Sequence, residues 1–321
     1  MKYLLTGACG FIGSNIAFSL LKKGHEVLNL DKLTYASNES GFESYSNYRL
    51  INIDISRLLD DRKVMKEIIK FQPDYVIHLA AESMVDRSLA NNKIFFESNT
   101  IGTWNVLEII KNLDIKKAIF FSTDEVYGSL ELSSFIANDV NYGFMPSNTL
   151  MPRNPYAGSK AAADQITISY IHSFKLPIII VRPSNNYGAR QADEKLVPVI
   201  INSILNGSKI PMYGNGNFYR EWLYIEDMIT AVQLLLEKGI NGEVYNVGSG
   251  YRISNLELVN TISMLMDVRA EDFIEYVVDP RGSAHDKAYA VDSSKLRDIG
   301  WQSSFSIKQG LINTISYYRS R

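Results

Sequence analysis

The sequence predicts an α/β fold, a doubly wound parallel sheet with a smaller, interleaved second lobe, and three observations predict it. Apolar, β-prone runs alternate with helical stretches, the runs are hydrophobic throughout, and a glycine-rich turn joins the first run to the first helix. Strands that are apolar on both faces suit a parallel sheet covered on both sides. Strand–helix alternation is how such a sheet is wound.

Residues 3–6 read as the first strand, and a helix over 12–23 follows the glycine turn. Residues 27–30 and 50–53 are the next two strands, and a helix over 61–71 leads to a fourth at 75–80. A helix over 101–112 precedes the strand at 118–122, and a helix over 156–173 precedes the strand at 178–182. After Tyr187 the rhythm changes, with Gly/Asn-rich turns at 214–217 and 248–250 between shorter elements. Residues 1–187 are therefore expected to form a dinucleotide-binding domain, with segments near 222–248 and 288–300 returning to it. Residues 188–321 are expected to form mainly the smaller lobe.

At 321 residues, 46% apolar and 21% charged, the chain can bury a large core. Its single cysteine, Cys9, excludes an internal disulfide framework, and Met1 runs directly into a strand with no charged-then-apolar leader, so the cytoplasm is the expected address. Aliphatic runs such as 176–181 fall far short of the ~20 residues of a membrane-spanning helix. A net charge of -2 offers no long-range attraction to nucleic acid, which leaves a small molecule as the expected ligand. His25, His78, His172 and His285 are scattered without ligand spacing, so no catalytic metal is expected. No Gly-x-Ser-x-Gly elbow suggests a hydrolase.

The turn Gly7-Ala8-Cys9-Gly10-Phe11-Ile12-Gly13 lies where backbone amides and the positive end of a helix can meet a pyrophosphate. Its spacing is one residue longer than the usual dinucleotide fingerprint. Asp31 ends the second strand about 20 residues on, where a carboxylate accepts from a ribose hydroxyl and repels a 2′-phosphate. That favours NAD over NADP, although Lys32 beside it weakens the exclusion.

Thr123-Asp124-Glu125-Val126-Tyr127-Gly128 sets two adjacent carboxyl groups at the end of the apolar run 118–121. In Asn154-Pro155-Tyr156-Ala157-Gly158-Ser159-Lys160, the phenol and the ammonium share one helical face. A lysine beside a tyrosine stabilises the phenolate and draws its pKa down from about 10. Tyr156 could then take a proton from a sugar hydroxyl as NAD⁺ accepts a hydride. The resulting ketone acidifies the neighbouring C–H for a carboxylate base, and the hydroxyl beyond leaves once an acid protonates it. Adjacent carboxyls in a dry pocket can titrate far enough apart to divide those roles.

With these residues in view, the chain resembles the extended short-chain dehydrogenase/reductases and, among them, the dTDP-glucose 4,6-dehydratases, over nearly its whole length. The likeness rests on the glycine turn, Asp31-Lys32-Leu33-Thr34-Tyr35-Ala36, Ala80-Ala81-Glu82-Ser83 with Val85-Asp86-Arg87-Ser88, and the segment from Ser122 to Gly128. It continues through Tyr156 and Lys160, Arg182-Pro183-Ser184-Asn185-Asn186-Tyr187-Gly188, Glu194-Lys195-Leu196-Val197-Pro198 and Arg220-Glu221-Trp222-Leu223. The resemblance implies a Rossmann-type domain and a cycle of C4 oxidation by Tyr156 and NAD, C5 deprotonation by Glu125, C6 protonation by Asp124 and hydride return to C6. It implies that Thr123 bonds the C4 oxygen and that Lys160 orients Tyr156. Phe11, Ile12, Asp31, Thr34, Asp54, Ile55, Leu79, Ala80, Ser98 and Asn186 should line the cofactor, with Gly7, Gly10, Gly13, Lys32, Leu33, Ala81, Ser83, Ser122, Tyr156 and Lys160 beside them. The nucleotide-sugar side maps onto Ser83, Met84, Thr123, Asn185, Lys195, Leu196, Pro211, Tyr213, Arg220, Asn255 and Arg281. There Arg220 and Arg281 can pair with a diphosphate, and Tyr213 can face a pyrimidine. A homodimer is implied as well; the amphipathic helices near 101–112 and 156–173 could form its interface or could equally be covered by the chain itself.

Two departures fall on the substrate side. Met84 stands where the family carries histidine and cannot donate a hydrogen bond. The late segment Arg281-Gly282-Ser283-Ala284-His285-Asp286-Lys287-Ala288 is longer than the family's and has one cation fewer. Rival readings are a dehydratase of a UDP- or other NDP-sugar, a 4-epimerase or a decarboxylase. A non-catalytic NAD-sensing scaffold is a third class. Asp124 separates dehydratase from epimerase, which needs no proton donor at C6, and the intact Tyr156, Lys160, Asp124 and Glu125 argue against a scaffold.

Overall fold

Strands β1 (Lys2–Thr6), β2 (Glu26–Asp31), β3 (Tyr48–Asn52), β4 (Tyr75–His78), β5 (Lys117–Phe121) and β6 (Ile178–Pro183) are the six strands legible as apolar runs. The computed structural model describes residues 1–132 and 141–321. Beyond these come β7 (Asn185–Tyr187), β8 (Ile210–Tyr213), β9 (Tyr219–Tyr224), β10 (Val244–Val247), β11 (Arg252–Ser254) and β12 (Ile274–Val277). The main sheet runs in the order β10-β6-β5-β4-β1-β2-β3, and every pairing is parallel. Burial follows position in that order. β5 and β6 are buried along their whole length, whereas the edge strand β3 has no buried residue and leaves Arg49 and Asn52 exposed.

Helices Phe11–Lys22, Arg62–Phe71, Gly102–Ile110 and Pro155–Phe174 lie within a residue or two of the stretches the sequence marks, and the third is preceded by a π-helical turn, Phe96–Ile101. One apolar cluster, with Leu5, Ile77, Ile119 and Ile179, packs one face of the sheet, and another, with Leu4, Val76, Ala118 and Ile178, packs the other. Alternate residues of each strand thus feed opposite clusters. Truncating a fully buried leucine such as Leu4 to alanine would cost about 2–5 kcal/mol.

Strand order reverses between β1 and β4, which opens a crevice at the carboxyl ends of those strands. Strand β4 stops at His78, two residues before the apolar run does, because Leu79 N donates to Thr6 O (3.0 Å) and Ala80 N to Thr6 Oγ1 (3.2 Å). The glycine turn closes against this bend. Gly7 has φ +74, and a Cβ there would lie 2.6 Å from Ala80 Cα; one at Gly13 would lie 2.4 Å from Gly7 O.

The smaller lobe carries a three-stranded sheet, β11-β9-β7, and the pair β12-β8. Glu221 on β9 and Arg252 on β11 form a fully buried ion pair at 2.9 Å, and Glu221 also accepts from Gly250 N (2.8 Å) and Val291 N (3.1 Å). Two buried charges are tolerated because their oxygens and protons are spent on partners.

Candidate active site

One cavity occupies the crevice, and its wall is the glycine turn, the ends of β2, β4 and β5, and the start of the Pro155–Phe174 helix. Of the expected cofactor residues, all line it except Leu33 and Asp54. Leu33 packs beside the core instead, and Asp54 Oδ1 accepts from Ser56 N (2.9 Å) to cap the turn Ile55–Asp60. The helix Phe11–Lys22 begins at Gly10 with no side-chain cap and no acid in its first turn, so its first amides are left for an anion. Ser122 Oγ, Asp124 Oδ2, Ser184 Oγ, Asn185 Oδ1, Asn186 Oδ1 and Gln191 Oε1 are buried along this cavity without a partner among the described residues. Buried polar atoms are almost always paired, so such a row suits a large polar ligand.

Asp31 is nearly buried and tied into the turn, with Oδ2 accepting from Cys9 N (2.9 Å) and Oδ1 from Leu33 N (2.9 Å). Lys32, whose charge weakens the exclusion of a 2′-phosphate in the sequence, is engaged elsewhere: its Nζ lies 2.9 Å from Glu82 Oε1 and donates to Ser98 Oγ at 2.7 Å. A neutralised lysine adds little to phosphate binding.

The acids stand at the end of β5. Thr123 caps the turn Asp124–Tyr127 by accepting from Glu125 N (3.3 Å), and its hydroxyl donates to Asp124 Oδ1 (3.2 Å). Asp124 is 3% exposed, and burial, with Glu125 next, lifts its pKa well above the carboxylate range. Glu125 is also raised by burial, but Asn154 Nδ2 donates to its Oε2 (3.2 Å), and Arg220 and Arg281 pull it back. Burial raises both acids, but their partners differ: Glu125 accepts from the Asn154 amide, while Asp124 keeps only the Thr123 hydroxyl and leaves Oδ2 bare.

Tyr156 is buried, and burial, then the charge of Glu125, pushes its phenol upward. The sequence reading has Lys160 drawing that phenol toward neutrality. In the structure Lys160 Nζ instead donates to Phe121 O (2.5 Å), and burial lowers its own pKa to about 8.

On the substrate side, Ser83, Thr123, Asn185 and Lys195 line the same cavity, whereas Met84, Leu196, Pro211, Tyr213, Arg220, Asn255 and Arg281 do not. Met84 precedes the helix Val85–Ala90 and Leu196 opens the helix Leu196–Asn206, while Pro211 is exposed on β8. Arg220 is buried and donates to Tyr219 O (2.8 Å) and Asp286 O (3.0 Å), yet its charge acts on both Asp124 and Glu125. Arg281 Nε donates to Asp86 Oδ1 (2.6 Å), and its guanidinium stands 5.7 Å from the Tyr213 ring centre. Asn255 Oδ1 is buried without a partner among the described residues. In the divergent late segment, His285 stacks on Phe218 at 3.7 Å and holds Asp279 Oδ2 at 2.6 Å; burial lowers its pKa to about 4.

Sequence reasoning misses Asn154, Asp86, Glu82 and Tyr289, whose hydroxyl reaches Asp286 Oδ2 (2.5 Å) and lies 3.4 Å from Glu125 Oε2. Only Asn154 carries a local signal: Asn before Pro at a helix start is a cap signature.

The chain is similar to known proteins over nearly its whole length. Residues 4–314 match the family model described as GDP-mannose 4,6 dehydratase. The chain is 38% identical to the dTDP-glucose 4,6-dehydratase of Haemophilus influenzae, over 99% of this chain and 98% of that one. It is 39% identical to the low-salt glycan biosynthesis protein Agl12 of Haloferax volcanii, again over 99% and 98%. The crystal structure of DesIV, a dTDP-glucose 4,6-dehydratase from Streptomyces venezuelae with NAD bound, superposes with a TM-score of 0.90 at 33% identity, covering 100% of this chain and 98% of that one.

Proposed function

The chain belongs to the family described as GDP-mannose 4,6 dehydratase, and from that premise we propose how its cavity carries out the reaction. The protein is an NAD-dependent nucleotide-sugar 4,6-dehydratase, and its substrate is dTDP-glucose. NAD, when bound, supplies the two-electron acceptor that makes the C4 ketone and the donor that returns those electrons at C6.

In this reading the chain's own residues divide the proton work. Tyr156 takes the proton of the C4 hydroxyl, and Thr123, on the same cavity wall, holds the C4 oxygen. Glu125, which accepts from the Asn154 amide, takes the C5 proton. Asp124 gives its proton to the departing C6 hydroxyl through Oδ2, the oxygen that Thr123 leaves unbonded. The uncapped start of the helix Phe11–Lys22 meets the pyrophosphate of NAD, and Asp31 meets its adenosine ribose. Arg281 and Lys195 are assigned to the substrate diphosphate. Residues 1–187, with returning segments near 222–248 and 288–300, are assigned to the cofactor domain and the rest mainly to the sugar-nucleotide lobe, with β7, at the end of the first range, pairing into the smaller sheet.

The observation that carries this reading is the pair Asp124 and Glu125 in the cavity wall with Tyr156, one acid with a bare buried oxygen and the other held by the Asn154 amide. A 4-epimerase has no use for a proton donor there. Incubating the protein with a panel of nucleotide hexoses and weighing the products tests it: loss of one water from dTDP-glucose supports the reading, and an isomer of unchanged mass contradicts it.

We also propose a homodimer in the cytoplasm. Phe96, Ile101, Trp104 and Phe174 leave large apolar side chains exposed on neighbouring helical segments. Light scattering should give twice the chain mass. Cys9, buried and unpaired, suits a reducing compartment, and no described helix is long and apolar enough to cross a membrane.

A further inference from the structure

The loop that follows β2 and the loop that precedes the helix Leu196–Asn206 meet outside the cofactor cavity, and three residues join them. Tyr35 Oη donates to Glu194 Oε1 at 2.8 Å. Arg87, from the helix Val85–Ala90, reaches Glu194 Oε2 at 3.2 Å and lays its guanidinium 3.5 Å from the centre of the Tyr35 ring. Two further stitches flank the knot: Lys195 Nζ donates to Ser83 O (2.8 Å), and Arg190 Nη2 to Asn38 O (2.7 Å). Each arm turns on a non-glycine residue in the left-handed region, Leu33 at φ 54 and Arg190 at φ 70. Such backbone persists only where its surroundings impose it.

A second cavity lies on the outer side of this knot and shares Ala36, Ser37, Gln191, Ala192 and Glu194 with the cofactor cavity. The Tyr35–Glu194 contact is therefore part of the partition between the two, and parting it would open the inner cavity to the outer one. Tyr35 and Arg87 are half exposed, where an ion pair adds little to global stability. Their contacts are concentrated at the place where three chain segments close over one ligand site, which makes local opening the property they control.

We propose that Tyr35, Arg87 and Glu194 form a clasp that retains NAD from one turnover to the next. This rests on the reading above, in which NAD is returned to its starting state every cycle and has no need to exchange with solution. The three are positioning residues: they hold the two loops together and touch none of the reacting atoms.

The test measures exchange of protein-bound NAD with added isotopically labelled NAD, in the wild type, Tyr35→Phe, Arg87→Gln and the double variant. Tyr35→Phe removes one donor and keeps the ring. Each single variant should exchange a few-fold faster, about the worth of one exposed hydrogen bond or ion pair. The double variant should fall short of the product of the two effects, because both act through Glu194. Melting temperatures at saturating NAD should not move, which a general loss of structure would not allow. Variants that bind NAD stoichiometrically and exchange it at the wild-type rate overturn the clasp alone. A wild type that neither carries nor binds NAD overturns the cofactor reading, and the clasp with it.

Discussion

Asn154 and Glu125 are joined by a hydrogen bond from Nδ2 to Oε2 at 3.2 Å, while the other end of the Asn154 amide accepts from Ala157 N at 2.8 Å. One side chain thus caps the helix that carries Tyr156 and Lys160 and steadies the proposed C5 base as a carboxylate. Asn154→Ala should cost about 1 kcal/mol in cap energy and, by removing a donor to the ionised form, raise the Glu125 pKa. Asn154→Asp keeps a cap but sets a negative charge beside Glu125, so its pKa should rise with little loss of stability. Because Glu125 acts ionised, the acid limb of the pH–kcat profile should move to higher pH in both variants, and the melting temperature should fall mainly in Asn154→Ala. An unmoved acid limb would sever Asn154 from the base.

Asp124→Asn cannot supply a proton. Turnover of dTDP-glucose should drop by about 10²–10⁴-fold, while oxidation at C4 continues and reduced cofactor accumulates. Single-turnover absorbance of NADH checks this. Fast return to the oxidised form with full yield of product would exclude Asp124 as the acid.

Cofactor choice should depend on two carboxylates. Asp31→Ala should narrow the preference for NAD over NADP, measured as the ratio of Kd values, because it removes the charge that repels a 2′-phosphate. Glu82→Gln, combined with it, should narrow the preference further by releasing Lys32 from its 2.9 Å partner. An unchanged ratio would assign selection to other groups.

Acid should weaken the fold through His78, which sits between Thr6 Oγ1 (2.7 Å) and Thr103 Oγ1 (2.9 Å) with its pKa pushed by burial to about 3. The unfolded chain binds a proton near pH 6.5 that the folded one refuses, so stability is lost as pH falls from about 6.5 toward 3, by up to about 1.4 kcal/mol per pH unit from this group. Urea unfolding across that range should show the slope, and His78→Gln should reduce it. Equal slopes would place the acid sensitivity elsewhere.

Much of this was legible in the sequence, and what escaped has a physical reason. Apolar runs mark six of the seven central strands, most plainly β5 and β6, which are buried along their whole length. The seventh, β10, is only four residues long and carries Asn246, which breaks the pattern. That asparagine is nonetheless buried, accepting from Tyr127 Oη (2.7 Å) and donating to Phe144 O (2.6 Å). Asp124, Glu125, Tyr156 and Lys160 announce themselves by spacing, since one turn or one strand end sets their geometry. The partner of Arg281 does not, because Asp86 lies 195 residues away and only the folded chain brings them together. The sense of the Tyr156 shift escapes for the same reason: it depends on how deeply the phenol is buried and where the Lys160 amine points.

The most direct measurement of the central claim, that Glu125 removes the C5 proton beside a transient ketone, is turnover of dTDP-glucose in deuterium oxide by the wild type and by Glu125→Gln. Product NMR should show solvent deuterium at C5 for the wild type. For the variant it should show none, while a 4-keto species and NADH still form. Full deuterium incorporation at C5 by Glu125→Gln would contradict the account.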